Sequence, residues 1–451
     1  MRRVYIENLG CSKNQVDAEV LLACLADSFE QSEFADEADL IIVNTCGFIE
    51  GAREESLETF FELYDLNPDA KFIFSGCMAQ HYSEELAEEL SEAAAIFGNR
   101  DLGQISKVVE RVFAGERVVA VPPYLADAAD DTYERDTLLN FPGSAYVKLS
   151  EGCNHRCSYC AIPLIRGNLR SRPKEQILSE VAALLAEEVV EINLIAQDLA
   201  SYGTDLFSGK SCFMELLSEL VVLVDNRAWI RLLYIHPDTF PAELPAFIAA
   251  NPAVLPYFDI PFQHANTAVL RSMGRSGTQD SYLSLIADIR STLPDAVFRS
   301  TILLGYPGED EASFTEVLDF LAAAQLDWVG SFIYSREEGT KAAKLVESEA
   351  AYREGVAEAQ ARKERLEILQ SRITRDRLTR FIGREVDVLI EELIEGEELA
   401  IGRFWAQAPE VDGLIVVVGR DLVPGTVVRA GIRAVNGIDL EAIPLQGASD
   451  V

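Results

Sequence analysis

The first ~120 residues alternate short apolar runs with stretches of helical spacing. The runs "RRVYIENLGC", "ADLIIVNTC" and "AKFIFSGC" are rich in β-branched and aromatic residues, and each leads into a helical segment. Alternating strand and helix predict a parallel sheet with helices packed on its faces. Residues 121–144, "VPPYLADAADDTYERDTLLNFPGS", carry Pro, Asp and Ala without periodicity and read as a linker. Six further runs follow: "AYVKLSEGC", "VEINLIAQD", "WIRLLYIHP", "YFDIPFQH", "VFRSTILLGYPGE" and "DWVGSFIYS", each preceding a helical stretch. Six such units make a partial (β/α)6 barrel rather than the closed eight-unit form, and functional groups in either collect at the C-terminal ends of the strands.

Residues 351–380 read as one long charged helix with a partial apolar stripe of Leu366, Leu369, Ile373 and Leu378. Beyond it, short alternating strands punctuated by Gly fit a small antiparallel β-barrel of OB type. The predicted fold class is therefore α/β. Its parts are an N-terminal parallel α/β domain (1–120), a linker (121–144), a partial barrel (145–350), a connecting helix (351–380) and a small β-barrel (381–446).

Composition narrows the function classes. Of 451 residues, 49% are hydrophobic and 25% charged, which is the balance of a folded soluble chain. The opening "MRRVYIENLG" lacks an apolar run of signal-peptide length, and no long uncharged apolar run occurs elsewhere, so a cytoplasmic location without membrane contact is expected. A net charge of −35 repels phosphate backbones and steers basic proteins inward. Eight cysteines in a reducing compartment point to ligands or catalysts rather than disulfides.

The stretch "EGCNHRCSYCAIPLIRG" places Cys153, Cys157 and Cys160 within eight positions, with no fourth cysteine nearby. A structural zinc site needs four ligands and would have to recruit His155 or a distant group. An iron-sulfur cubane suits the trio better: three protein ligands leave one iron open, and an open position can bind a substrate. The spacing Cys-x3-Cys-x2-Cys is not the ferredoxin run that closes a cluster for plain electron transfer.

Cys11, Cys46 and Cys77 lie 35 and 31 residues apart, yet each ends a strand run. In a parallel sheet of successive strand-helix units, equivalent positions share one edge, so three side chains can converge there. Any one of them alone would be a small apolar residue at a strand end. Three in register predict a second cluster site, with Gly10, Gly47 and Gly76 flanking it so that backbone can pass close to a bulky group. Cys24 falls on the apolar face of the first helix, a core position, and Cys212 opens a later helix without a partner at ligand spacing; neither is assigned a function.

Cys-x3-Cys-x2-Cys with Tyr159 before the last cysteine, directly after the first barrel strand, resembles the radical S-adenosylmethionine enzymes. The resemblance implies a 4Fe-4S cluster on Cys153, Cys157 and Cys160 whose open iron chelates S-adenosylmethionine, and one-electron cleavage to a 5′-deoxyadenosyl radical. With the second trio and the small barrel, nearly the whole chain resembles the methylthiotransferase family. That likeness implies an auxiliary 4Fe-4S cluster on Cys11, Cys46 and Cys77 and the use of two S-adenosylmethionine molecules. "NLGCSKNQVDAE", "PLIRGNLRSRP", "DIPFQHANTAVLRSMGRSG", "TILLGYPGE", "YSREEGTKAA" and "APEVDG" look most like the RimO branch. That branch modifies the β-carbon of an aspartate in small-subunit ribosomal protein S-twelve; the rival MiaB branch acts on a tRNA adenosine.

Strand-end residues are the expected lining of the cofactor pocket: Tyr159 beside the adenine, Gln197 and Asp198 after the second strand, His236 after the third, Gln263 and His264 after the fourth, and Gly305, Gly308 and Glu309 after the fifth. A polar residue leaving a strand also serves as a turn or cap. Arg166, Arg170 and Arg172 read either as a solvated face or as guanidinium partners for an anionic aspartate substrate. No proton-transferring catalytic side chain is identified.

The tail barrel resembles a TRAM domain, a fold usually associated with RNA. Residues 381–446 nevertheless hold five arginines, no lysine and twelve Asp plus Glu, a net charge of −7. Such a surface is a poor phosphate binder and suits a basic ribosomal protein as partner, alongside S-adenosylmethionine and an electron donor. Phe404 and Trp405 in "GRFWAQAPEVDG" are expected to fill the barrel rather than anchor a ligand. Two other readings stay open: the same chemistry on tRNA, and a non-enzymatic iron-sulfur or zinc protein.

Overall fold

A computed structural model describes residues 1–122, 135 and 137–445; most of the predicted linker 121–144 lies outside the described residues. The chain divides into two compact units. One takes the described part of Met1–Leu139 with Lys148–Gln176 and Ser335–Ala343; the other takes Asn140–Val147, Ile177–Tyr334 and the described part of Lys344–Val451. No helix among the described residues is long and apolar enough to cross a membrane.

The first unit is built on a six-stranded sheet of β1 (Arg2–Asn8), β2 (Phe29–Gln31), β3 (Leu40–Thr45), β4 (Lys71–Gly76), β5 (Ala95–Phe97) and β6 (Val118–Ala120). Its order is β2-β1-β3-β4-β5-β6, and every pairing is parallel. The central strands β3 and β4 are buried on both faces, as near-continuous apolar runs predict. Separate cores on the two faces bury Ile42, Ile73 and Phe97 on one side, and Ile41, Val43, Phe60 and Phe74 on the other. The three runs singled out in the sequence are β1, β3 and β4, three neighbours. A second element of this unit is the two-stranded ribbon of β8 (Ser150–Glu151) against β9 (Arg170–Ser171).

In the second unit, β7 (Ser144–Lys148, of which Lys148 is counted with the first unit), β10 (Glu191–Ile195), β11 (Trp229–Leu233), β12 (Tyr257–Asp259), β13 (Val297–Leu304) and β14 (Trp328–Ile333) are the six predicted barrel strands. They form two three-stranded sheets, β11-β10-β7 and β12-β13-β14. Between β11 and β12 the ladder is reduced to the bridge Ile230↔Val254 and the bond from the Ile235 N–H to the Asp259 carbonyl at 2.9 Å. The helix Glu349–Leu378 does not stand free between domains. Its buried stripe, Ala359, Arg362, Leu366, Gln370, Ile373 and Leu378, packs against β14. Gln370 donates to the Leu326 carbonyl at 3.0 Å and Thr374 to the Asp327 carbonyl at 2.7 Å, so polar residues complete a stripe that apolar spacing alone left partial.

The tail closes into a barrel of β15 (Glu385–Leu393), β16 (Leu399–Arg403), β17 (Ile415–Val418), β18 (Val427–Asn436) and β19 (Asp439–Pro444). Its pairings are antiparallel except β17 against β19, which run parallel. The loop after β16 meets the partial barrel at the N-terminal ends of its strands. Glu191, the first residue of β10, accepts from Arg231 at 2.8 Å, from Arg403 at 2.7 Å and from Ser144 at 2.9 Å. Arg231 also donates to the Trp405 carbonyl, and the Trp328 indole to the Ala406 carbonyl at 3.0 Å. Phe404 is fully buried and stacks edge-on against Phe381 and half-buried Trp405, the filling role expected of it. The tail barrel thus docks at the end of the strands opposite to the C-terminal ends, where functional groups collect in folds of this kind.

Two predictions follow from this base. Burial works to raise the Glu191 carboxyl, but Arg403 and Arg231 hold it well below the usual carboxylate range. Glu191→Ala takes the buried carboxylate from Arg231 and leaves Arg403 with Glu391 alone, and should cost about 3–5 kcal/mol in chemical unfolding. Asp412 has the opposite balance. Burial pushes its carboxyl up to about 6 against the opposing pull of Arg299, the Ala408 N–H and the Tyr257 hydroxyl. The folded protein therefore binds this proton more tightly than the unfolded chain, and the group's contribution to stability falls as pH rises from about 4 to about 6, then levels. The stability difference between wild type and Asp412→Asn should shift toward the variant between pH 5 and pH 7.5; a constant difference contradicts the assignment.

Candidate functional site

The parallel register delivers the first trio. Asn8 pairs with Asn44, Asn44 with Ser75 and Thr45 with Gly76, so Cys46 and Cys77 leave their strands side by side and Cys11 follows one turn beyond β1. Asparagines lock these turns together. Asn44 donates to Asn8 Oδ1 at 2.8 Å and to the Asn14 carbonyl at 2.7 Å, while Asn14 donates to the carbonyls of Leu9 and Thr45 at 2.9 and 3.0 Å. The flanking glycines are required by contacts within the protein itself. A Cβ on Gly10 would lie 2.9 Å from the Cys46 Cβ, one on Gly47 2.7 Å from the Met78 backbone, and one on Gly76 2.5 Å from the Thr45 carbonyl oxygen. They let the three turns crowd against one another, and that crowding brings the cysteines together.

Cys11 is exposed, Cys46 half-buried and Cys77 buried, so the trio opens on one side; all eight cysteines are free thiols. Burial pushes the Cys77 thiol up to about 12 and raises Cys46 as well; Arg166 pulls both down, and the neighbouring cysteines add to the rise. Among the described residues no group of three or more His, Cys, Asp or Glu is placed to hold a single metal ion.

The second trio lies on a loop closed by the β8–β9 ribbon. The Cys153 N–H donates to the Gly167 carbonyl at 3.2 Å, the Leu169 N–H to Asn154 Oδ1 at 3.2 Å and the Cys160 N–H to the Cys157 carbonyl at 3.2 Å. Gly152 has φ +71°, and a Cβ there would lie 2.1 Å from the Asn168 carbonyl oxygen, so this turn requires glycine. The His155 backbone N–H donates to the Cys153 sulfur at 3.5 Å. Cys153, Cys157, Cys160 and Tyr159 are all half-buried. The segment Ser335–Ala343 fastens this unit: Glu337 pairs with Arg53 at 2.5 Å, and the Ala342 N–H donates to the Ser158 carbonyl at 2.8 Å.

Arg166, Arg170 and Arg172 are 3–5% exposed, which corrects the solvated-face reading. Arg166 donates to Glu151 at 3.0 Å, Asp17 Oδ2 at 2.8 Å, Asn14 Oδ1 at 2.7 Å and the Cys77 sulfur at 3.4 Å. Its guanidinium is thus committed within the protein rather than offered to a substrate carboxylate. Burial works to raise the Glu151 carboxyl, but Arg166 and Lys148 hold it well below the usual range. Lys148 also pairs with Asp17 at 2.7 Å. Sequence reasoning missed Asn14, Asp17 and Glu151. The signal was present: the helix Ser12–Leu25 opens with Ser, Lys, Asn, Gln and Asp, polar side chains that are all buried.

At the strand ends of the second unit, Gln197 is half-buried with both amide atoms shielded and without a hydrogen-bond partner among the described residues. Asp198 instead braces the turns after β10 and β11, accepting from the His236 N–H at 3.0 Å and the Thr239 hydroxyl at 2.8 Å. Gln263 holds φ +69° while its backbone continues the pairing with β13, a conformation that a non-glycine residue adopts at a cost of order 1–3 kcal/mol. The side chain of Glu309 is fully shielded; it accepts from the Gly305 N–H at 3.1 Å and from Arg362 at 2.9 Å, and faces His264 Nε2 at 3.4 Å. Gly305 backs onto Ala359, where a Cβ would approach to 2.6 Å, whereas Gly308, at φ +93°, has open space around it.

Three family profiles match the chain: the uncharacterized protein family UPF0004 over residues 3–98, the radical SAM superfamily over 147–321, and the TRAM domain over 382–444. A ribosomal protein uS12 methylthiotransferase RimO of Treponema denticola is 40% identical over 96% of this chain and 99% of its own. One from Moorella thermoacetica is 42% identical over 97% and 98%. Among solved structures, the radical S-adenosylmethionine methyltransferase TsrM of Kitasatospora setae aligns with a TM-score of 0.53 at 16% identity, over 73% of each chain, a likeness of fold alone.

Gly76 gives the test of how the first trio is assembled. Gly76→Ala places a Cβ at φ +96°, which costs about 1–3 kcal/mol in backbone strain before the overlap with Thr45 is added. Gly51→Ala, at a helical glycine with nothing within 4 Å, serves as the control and should be neutral or slightly stabilising. Urea unfolding of the two variants should separate them; equal midpoints contradict the crowded-turn account.

Proposed function

The chain belongs to the ribosomal protein uS12 methylthiotransferases of the radical S-adenosylmethionine superfamily, and from that premise we propose that it adds a methylthio group to the β-carbon of an aspartate in small-subunit ribosomal protein uS12. The observation that carries the reading is the convergence of Cys11, Cys46 and Cys77 beside a loop bearing Cys153, Cys157 and Cys160 within one compact unit. In this reading each trio holds a 4Fe-4S cluster with one iron left to a small molecule. In a cubane the three thiolates bind three different irons, so the side chains of each trio need not close on one ion. When bound, the clusters and two S-adenosylmethionine molecules supply the one-electron chemistry and the methylthio group.

The protein's part is to hold, orient and shield. The loop of the second trio is pre-shaped by its glycine turn and by the amide bond onto Cys153, so its sulfurs need little reorganisation on loading. Tyr159, Gln197, Gly305, Gly308 and Glu309 are the candidate contacts for S-adenosylmethionine. Gln197 has the clearest case, because a shielded amide with neither end bonded is suited to a polar ligand. Glu309 would act through the Gly305 turn that its carboxylate braces.

Charge favours a protein substrate over tRNA. In the tail barrel Arg403 is consumed by Glu191 and Glu391, exposed Arg384, Arg420 and Arg429 are each paired with an acid, and Arg433, also exposed, is the one further cation among twelve acidic residues. The surface left over is acidic. It suits a basic ribosomal protein, which it would steer and orient.

Anaerobic reaction with S-adenosylmethionine and a reductant, followed by mass spectrometry, tests the assignment. A methylthio increment is expected on uS12 and not on tRNA; an increment on tRNA alone overturns it. Cys77→Ala should abolish the product while S-adenosylmethionine cleavage persists, and Cys157→Ala should abolish both.

A further inference from the structure

We propose that Arg166 and Asn99 set the reduction potential of the group held by Cys11, Cys46 and Cys77, by donating hydrogen bonds to the Cys77 sulfur. This inference rests on the reading of that trio as cluster ligands. Asn99 Nδ2 lies 3.3 Å and Arg166 Nη2 3.4 Å from the Cys77 sulfur. The two donors come from different parts of the unit, Asn99 from the turn after β5 and Arg166 from the segment six residues past Cys160. Cys77 is 6% exposed and Arg166 3%, so water does not level the effect of either bond.

Ion pairing alone does not account for the contact with sulfur. Arg166 and Lys148 are matched by Asp17 and Glu151, two cations against two anions, and that set is complete without Cys77. Asn99 carries no charge, and its amide is directed at the same sulfur. The three thiols are correspondingly unequal: Cys11 is exposed, whereas Cys77 is enclosed and approached by two side-chain donors. Reduction adds negative charge that is shared with the ligand sulfurs. Donors and positive charge placed at a sulfur therefore favour the reduced state and raise the potential. Because Arg166 follows directly on the loop of the other trio, that loop also contributes to the electronics of the first.

The experiment removes the second trio and reads the first. The triple variant Cys153→Ala/Cys157→Ala/Cys160→Ala is loaded anaerobically, assayed for iron and sulfide, and titrated with a chemical reductant under electron paramagnetic resonance. Added to this background, Asn99→Ala and Arg166→Met should each move the midpoint to more negative potential at unchanged iron content. Arg166→Lys, which keeps the charge, should move it less than Arg166→Met. A loosened and wetter site would shift the midpoint the other way, since solvent also stabilises added negative charge, so a positive shift overturns the proposal. So does an unchanged midpoint at full iron content. Should Arg166→Met fail to fold, Asn99→Ala decides alone. Failure of the triple variant itself to take up iron is a separate result: it removes the reading of Cys11, Cys46 and Cys77 on which the inference stands.

Discussion

The register of three adjacent parallel strands is the constraint on which the rest of the molecule depends. Because β1, β3 and β4 run the same way and pair without offset, their C-terminal turns emerge together. A slip of one residue between β3 and β4 would turn the strand faces over and separate Cys46 from Cys77, and a slip between β1 and β3 would carry Cys11 away from both. The apolar runs on both faces hold that register, and Asn8, Asn14 and Asn44 tie the emerging turns to one another. A trio assembled from side chains 35 and 31 residues apart is thus as well defined as one on a single loop.

Buried charge does comparable work at two places in the chain. In the first unit, Asp17, Lys148, Glu151 and Arg166 join the opening helix to the loop of the second trio. In the second, Glu191 gathers Arg231 and Arg403 and seats the tail barrel on the N-terminal strand ends. Such sets contribute little net stability against apolar packing, but removing one member leaves a charge unpaired, so they enforce a single arrangement. A sulfur chemistry that requires two sites in fixed relation is served by specificity of this kind.

The strands, and the grouping of six cysteines into a strand-end trio and a loop trio, were legible because their signals are periodic or closely spaced. Apolar runs mark β1, β3, β4 and the six barrel strands, and Cys-x3-Cys-x2-Cys is compact. Less legible were β2, β5 and β6, three-residue strands too brief on their own for a period to register, whereas the equally short β12 sits in the longer run "YFDIPFQH". The solvated-face reading of Arg166 failed because Asp17 and Cys77, which it contacts, lie far away in sequence, and charge alone predicts exposure. Polar residues within the stripe of the helix Glu349–Leu378 failed the apolar template for the same reason: Gln370 and Thr374 are satisfied by carbonyls that only the folded chain brings near.

Mössbauer spectroscopy of the anaerobically loaded wild-type chain beside its Cys46→Ala variant tests the central claim most directly. Two 4Fe-4S clusters per chain in the wild type, and one in the variant with the remaining signal unaltered, are the predicted outcome. A single cluster in the wild type, or a count that Cys46→Ala leaves unchanged, would contradict the account.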